Sequence, residues 1–262
     1  MTCLKGRLAL VTGSTSGIGL GIAHSLADAG AHIAINGFGP EEIIGKILED
    51  LRAKQVKAEF ISFDVSDAEK VATGINQANE KFGKPVDILV NNAGIQATFP
   101  TEDFPVEKFD QIIKINMSSN FYAIKACLPD MKNQNWGRII NISSAHGKVA
   151  SANKIAYVAA KHGVLGMTKV VALETAKTGI TCNAICPGWV LTPLVEAQIK
   201  KRAEENQTNF ETEKKKLLEE KQPSGDFVKI EDLGSMVVFL CSEAGANIRG
   251  SDFSMDGGWT AQ

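Results

Sequence analysis

The sequence lacks an excess of charge of either sign. Its 28 Lys and Arg stand against 30 Asp and Glu, for a formal net charge of -2. With no basic surplus to neutralise phosphates, nucleic-acid binding is not expected. It also lacks a long apolar run. No stretch reaches the length that crosses a bilayer, and the apolar part of MTCLKGRLALVTGS is too short for a signal peptide. A soluble, cytoplasmic chain with no membrane partner is the expectation. Paired cysteines are missing too. Cys3, Cys127, Cys182, Cys186 and Cys241 are scattered, and none falls in a Cys-x-x-Cys pair. Without companion histidines, Cys182 and Cys186 read as small core residues, and no metal site is expected. No internal repeat or low-complexity linker divides the chain, so residues 1–262 read as a single domain. Apolar residues make up 44% of it, which argues against disorder.

What is present is an alternation. RLALVTG (7–13), AHIAIN (31–36), VKAEFISFDV (56–65), VDILVNNAG (86–94), GRIINISS (137–144), GITCNAICPG (179–188) and SDFSMDGG (251–258) read as strands. Helical patterns follow the first three, over 17–30, from about Glu41 to Ala53 and from about Asp67 to Lys81. Rich in β-branched residues and weakly alternating, the strands suit burial on both faces. Strand and helix in turn imply right-handed crossovers and a doubly wound parallel sheet, with ligands at its carboxyl edge. One segment, at about 190–227, breaks the rhythm with densely mixed charge. Most of these charges suit a solvated helical excursion, and its late position suits a lid over the site.

TGSTSGIG (12–19) joins the first strand to the first helix and carries Gly13, Gly17 and Gly19. A turn without side chains lets backbone N–H groups approach a pyrophosphate, and the helix N-terminus adds partial positive charge. NNAG (91–94) ends the fourth strand. At the end of the third, Asp64 can accept from an adenine amino group or cap a helix. The second strand ends INGFG (35–39), with no Arg or Lys to receive a 2′-phosphate and no Asp to grip a ribose diol. Asn36 and backbone groups remain to serve a neutral ribose, so NAD is expected over NADP.

Tyr157 and Lys161 stand four residues apart, on one face of a helix. A tyrosine has a pKa of about 10 and needs help to act as a base near neutrality. A cation within about 4–6 Å favours the phenolate. Ser144, at a strand end, can hydrogen-bond a substrate oxygen, and Asn116, in a predicted helix, can hold a water linked to the lysine. Singly, each residue has an ordinary structural explanation; jointly they are specific.

In their order along nearly the whole chain, Thr12, Gly13, Gly17, Gly19, the NNAG stretch, Asn116, Ser144, Tyr157, Lys161 and Pro187-Gly188 resemble the short-chain dehydrogenase/reductases. The resemblance implies a Rossmann-like, doubly wound, seven-stranded parallel sheet with a helical substrate lid, usually in a homotetramer. It implies an NAD-dependent oxidoreductase with a catalytic tetrad of Asn116, Ser144, Tyr157 and Lys161. For the cofactor it implies Gly13, Thr15, Ser16, Gly17, Ile18 and Gly19, then Phe38, Asp64 and Val65, then Asn92, Ala93 and Gly94. Tyr157, Lys161, Pro187, Gly188, Val190 and Thr192 complete that set, with Thr192 against the nicotinamide amide.

Further stretches, NNAGIQ, SAHG, VASANK, AYVAAKHG, NAICPGWV, TPLVE, EKQPS and DGGWTA among them, are similar to a branch of the family that interconverts (R)-3-hydroxybutyrate and acetoacetate. This similarity implies a small-molecule acid whose carboxylate is held by Gln96, His146, Lys154 and Gln198, beside Ser144 and Tyr157. Trp189, Leu217 and Trp259 would wall its methyl end. Charge-assisted hydrogen bonds of about 1.5–3 kcal/mol each would replace the water the carboxylate loses. The chain departs from the branch at Ala97, Lys148, Ile155 and Leu191, and Ala97 is expected to leave room for a slightly longer acid. Two rival readings stay open. One is a reductase of another small oxo acid or of 3-oxoacyl thioesters, which have no free carboxylate to clamp at that end. The other is a non-catalytic cofactor-sensing protein, against which the intact tetrad argues.

Overall fold

A computed structural model of the protein describes residues 3–262. Strand β1 (Leu8–Val11) shows how the sheet is built. Leu8 and Leu10 enter one apolar cluster, Ala9 and Val11 another, and all four are sealed from solvent. The period of two sends successive side chains to opposite faces, so a strand apolar at every position must be covered on both sides. With β2 (His32–Ile35), β3 (Ala58–Phe60), β4 (Ile88–Asn91), β5 (Gly137–Ile142), β6 (Ile180–Pro187) and β7 (Asp252–Met255), it forms one parallel sheet ordered β3-β2-β1-β4-β5-β6-β7.

Helices α1 (Gly17–Asp28), α2 (Glu41–Arg52) and α9 (Ile230–Cys241) cover one face, through Ile22, Leu26, Ile47, Leu233 and Val237. On the other lie α3 (Ala68–Phe82), α5 (Ser119–Asn133) and α6 (Ile155–Glu174), through Ile75, Ile124 and Val171. Each such side chain contributes about 1.5–3 kcal/mol when fully buried. Cys182 and Cys186 lie in this core, on β6. The order of strand addition reverses at β1, outward through β2 on one side and from β4 on the other, which opens a crevice at the carboxyl ends of these strands.

The third strand is shorter than the expected 56–65. Its ladder stops at Phe60 because β3 is an edge strand with β2 as its one neighbour. Beyond it the carboxamide of Asn36 replaces the ladder, donating to the carbonyls of Ile61 at 3.1 Å and Phe63 at 3.0 Å. Asn36 is buried, and the amide hydrogens of its side chain are taken by this task, while the residue still lines the crevice.

The charged segment is helical, as expected, in α7 (Pro193–Glu205) and α8 (Phe210–Glu219). Its charges are not all solvated. Glu213 is fully buried between the helices, with Lys216 Nζ and Thr208 Oγ1 at 2.9 Å, Asn206 Nδ2 at 3.2 Å and Arg202 Nε at 3.4 Å. These partners, Lys216 first, hold its carboxyl at about 2. Among the described residues no helix is long and apolar enough to cross a membrane.

Candidate active site

The crevice holds a cavity of about 1290 Å³, above the usual range for a small ligand alone. Its glycine turn closes tightly. Gly13 has φ +61, and a Cβ there would stand 2.9 Å from Ala93 Cα; at Gly19 it would stand 2.4 Å from the carbonyl oxygen of Gly13. Thr12 Oγ1 accepts from the backbone N–H of Asn92 at 3.0 Å and of Ala93 at 3.1 Å, and Asn92 Nδ2 donates to the carbonyls of Thr12 and Gly13. The turn and the end of β4 therefore form one surface. Ser16 makes no side-chain cap on α1, so the leading N–H groups of that helix lack a side-chain acceptor where they meet the cavity. This is the donor set a pyrophosphate requires.

Around it the cavity is lined by Thr15, Gly17 and Ile18, by Phe38, Asp64 and Val65, and by Ala93 and Gly94. Pro187, Gly188, Val190 and Thr192 line its far side. Phe38 is 80% exposed, and its carbonyl accepts from Thr15 Oγ1 at 2.8 Å. Asp64 accepts from the N–H and hydroxyl of Ser66, which keeps its carboxyl below the usual range, while Asp67 rather than Asp64 caps α3. Thr192 caps α7 and faces Gly17. Along the wall from Phe38 to Asp64 no Lys or Arg is present.

Ser144, Tyr157 and Lys161 meet in the same cavity. Lys161 is buried, and its ammonium donates 2.7 Å to the Ile142 carbonyl and lies 5.6 Å from the centre of the Tyr157 ring. The expected lowering of the tyrosine by this lysine is not what the geometry gives. Burial pushes Tyr157 up, the Ser144 hydroxyl partly countering it, and burial brings Lys161 down to about 8. The cation stands over the ring face with another acceptor, so desolvation dominates both groups.

Asn116 stands apart from the expected water-holding geometry. It sits in a π-helical turn, Lys114–Ser118, between α4 (Val106–Ile113) and α5. Its amide clasps Ile95, accepting from that N–H and donating to that carbonyl, both at 2.9 Å. It is not among the residues lining the cavity; through Ile95 it holds the strand-end loop that carries Gln96.

Gln96, His146, Lys154, Gln198, Trp189 and Trp259 all line the cavity. The His146 ring packs edge-on against Tyr157 and Trp259, with centroids 5.8 and 5.0 Å away, and its Nε2 is 2.9 Å from Ser151 Oγ. Burial, with Lys154 next, pushes it down to about 3, so it is a neutral hydrogen-bonding group. Lys154 lies 5.1 Å over the Trp189 ring and, among the described residues, forms no ion pair or hydrogen bond through its ammonium; burial brings it to about 8. An ammonium so placed lacks an anion. Leu217 does not line the cavity. It is buried behind Trp189, in a cluster with Val195 and Ile199, and acts as a support. Ala97 does not line the cavity either, so its small side chain adds no room there. Lys148 pairs with Asp252 and ties the His146 loop to β7. Sequence reading passed over Ser151, which has no sequence signal beyond its place in the turn before Lys154.

Residues 7–203 match the family described as short chain dehydrogenase. The chain is 54% identical to a D-beta-hydroxybutyrate dehydrogenase of Cupriavidus necator, over 99% of this chain and 100% of that one. It is 47% identical to a D-beta-hydroxybutyrate dehydrogenase of Rhizobium meliloti, over 98% and 99%. A solved actinorhodin polyketide ketoreductase variant with NADPH is similar at a TM-score of 0.91 and 33% identity, covering 98% of both chains.

Proposed function

We propose, from the premise that this chain belongs to the short-chain dehydrogenase family and is an oxidoreductase acting on CH–OH, that it interconverts (R)-3-hydroxybutyrate and acetoacetate with NAD. The observation that carries the substrate reading is Lys154, a largely buried ammonium without an anion in the cavity that also holds Tyr157. A carboxylate supplies the missing charge, and Gln96, His146 and Gln198 surround it with further polar groups. The names of the two relatives support this handedness and this acid.

The residues fit a dinucleotide, with uncapped N–H groups at α1, a side-chain-free turn and a cavity long enough for two ligands. Without a cation along the wall from Phe38 to Asp64, a 2′-phosphate would have no partner there, which supports NAD. When bound, the nicotinamide accepts or returns a hydride. In the reducing direction Tyr157, which burial keeps protonated, gives its proton to the ketone oxygen, Ser144 orients that oxygen by hydrogen bonding, and Lys161 provides the nearby positive charge. Asn116 acts through Ile95, by placing the loop that bears Gln96. Helices α7 and α8 bring Gln198 to the cavity and exclude water.

Initial rates with NAD and NADP, using both enantiomers of 3-hydroxybutyrate, test cofactor, acid and handedness together. The (R) acid with NAD should be the fastest combination. In the reverse direction, turnover of an acetoacetyl thioester with acetoacetate inert would overturn the reading.

A further inference from the structure

One side of the His146 ring is engaged and the other is not. Nε2 meets Ser151 Oγ at 2.9 Å, and among the described residues that hydroxyl has no other hydrogen-bond partner. Nδ1 makes no hydrogen bond with the described residues, yet it is not among the buried polar atoms sealed from solvent without a partner. Since the residue is 4% exposed and lines the cavity, the open nitrogen faces the cavity. A neutral imidazole has one N–H and one lone pair. If the lone pair faced the cavity, it would repel a carboxylate lying beside Lys154. If the N–H faced it, Nε2 would carry the lone pair and require a donor. Ser151 is the donor in reach.

We propose that Ser151 is a positioning residue: its hydroxyl donates to Nε2 of His146, fixes the ring as the Nδ1–H tautomer and so turns that N–H toward the carboxylate of the acid. The proposal deepens, and rests on, the reading of the site as one for a small hydroxy acid. One turn then assembles the acid-binding end. Ser151 orients His146. Two residues on, Asn153 takes a left-handed conformation, φ 66, and its carbonyl accepts from Phe99 N at 3.0 Å, which draws the Gln96 loop alongside. Lys154 follows with its ammonium in the cavity.

Long-range ¹H–¹⁵N correlation on the labelled full chain, without substrate, reads the tautomer. The signals of His146 are identified among the four histidines by their loss in His146→Gln. The expected result is a protonated Nδ1 with Nε2 as an acceptor, and a mixture of tautomers in Ser151→Ala. The KM for (R)-3-hydroxybutyrate should rise about tenfold in Ser151→Ala, as for the weakening of one charge-assisted hydrogen bond, while that for NAD stays. Ser151→Thr should restore both the tautomer and the KM. A protonated Nε2 in the unmodified protein, or a tautomer unchanged by Ser151→Ala, would overturn the proposal. Failure to turn over any small hydroxy acid would instead sink the substrate reading, and the tautomer is read independently of it.

Discussion

The polar residues of this site divide by what burial does to them. Lys154 lies in the cavity with no ion pair to a described carboxylate, and removing its ammonium removes the positive charge beside His146 and Trp189. Lys154→Ala should raise the KM for 3-hydroxybutyrate roughly tenfold to hundredfold, the worth of one charge-assisted hydrogen bond, with little change in that for NAD. Equal, small changes in both constants would contradict a carboxylate clamp. The pKa gives a second handle. Burial brings Lys154 to about 8, so the ammonium is present below that pH and is lost as the pH rises through it. The KM for the acid should therefore climb above about pH 8. In Lys154→Arg, where the charge persists, the climb should disappear. His146 titrates near 3 and should contribute no pH dependence in this range.

At the scale of elements, the sequence showed where strands and helices lie better than how their ends are used. All seven expected strands are there, because most of the runs are rich in buried, β-branched residues that suit a sheet covered on both faces. The trimming of β3 was not legible, since it depends on a buried asparagine from the neighbouring strand competing for backbone carbonyls. The π turn around Asn116 was likewise hidden, as the same residues serve an α-helix equally well. The segment proposed as a lid was legible as charge and helix, but not as a unit stapled by a buried glutamate. Glu213→Gln should weaken the tie between α7 and α8. Faster amide hydrogen exchange in α8, with slower change elsewhere, is the expected signature, together with a higher KM for the acid. Uniform exchange behaviour across the chain would mean that the staple does not hold the lid.

For the whole molecule, the surface carries a message that the fold alone does not use. Phe121 on α5 is 50% exposed, and Val170 and Leu173 on α6 are 54% and 78% exposed. Large exposed apolar groups on two helices that cover the same face of the sheet favour association with further copies of the chain. A homotetramer is the expected assembly, and light scattering should return four chains. Leu173→Glu should place a charge at that contact and shift the mass downward, while a spectrum of folded protein is retained.

The sequence by itself determined the sheet, its order of elements and the glycine turn, because periodicity, turn chemistry and residue type are local properties written in the chain. The tertiary structure alone decided what those residues become. Leu217 turned from cavity wall to support, the side-chain amide of Asn36 became a strand tie and that of Asn116 a clasp on Ile95, while burial left the histidine neutral. Each outcome depends on desolvation and on which partner lies within about 3 Å, and both are set by segments distant in the chain that meet only when it folds.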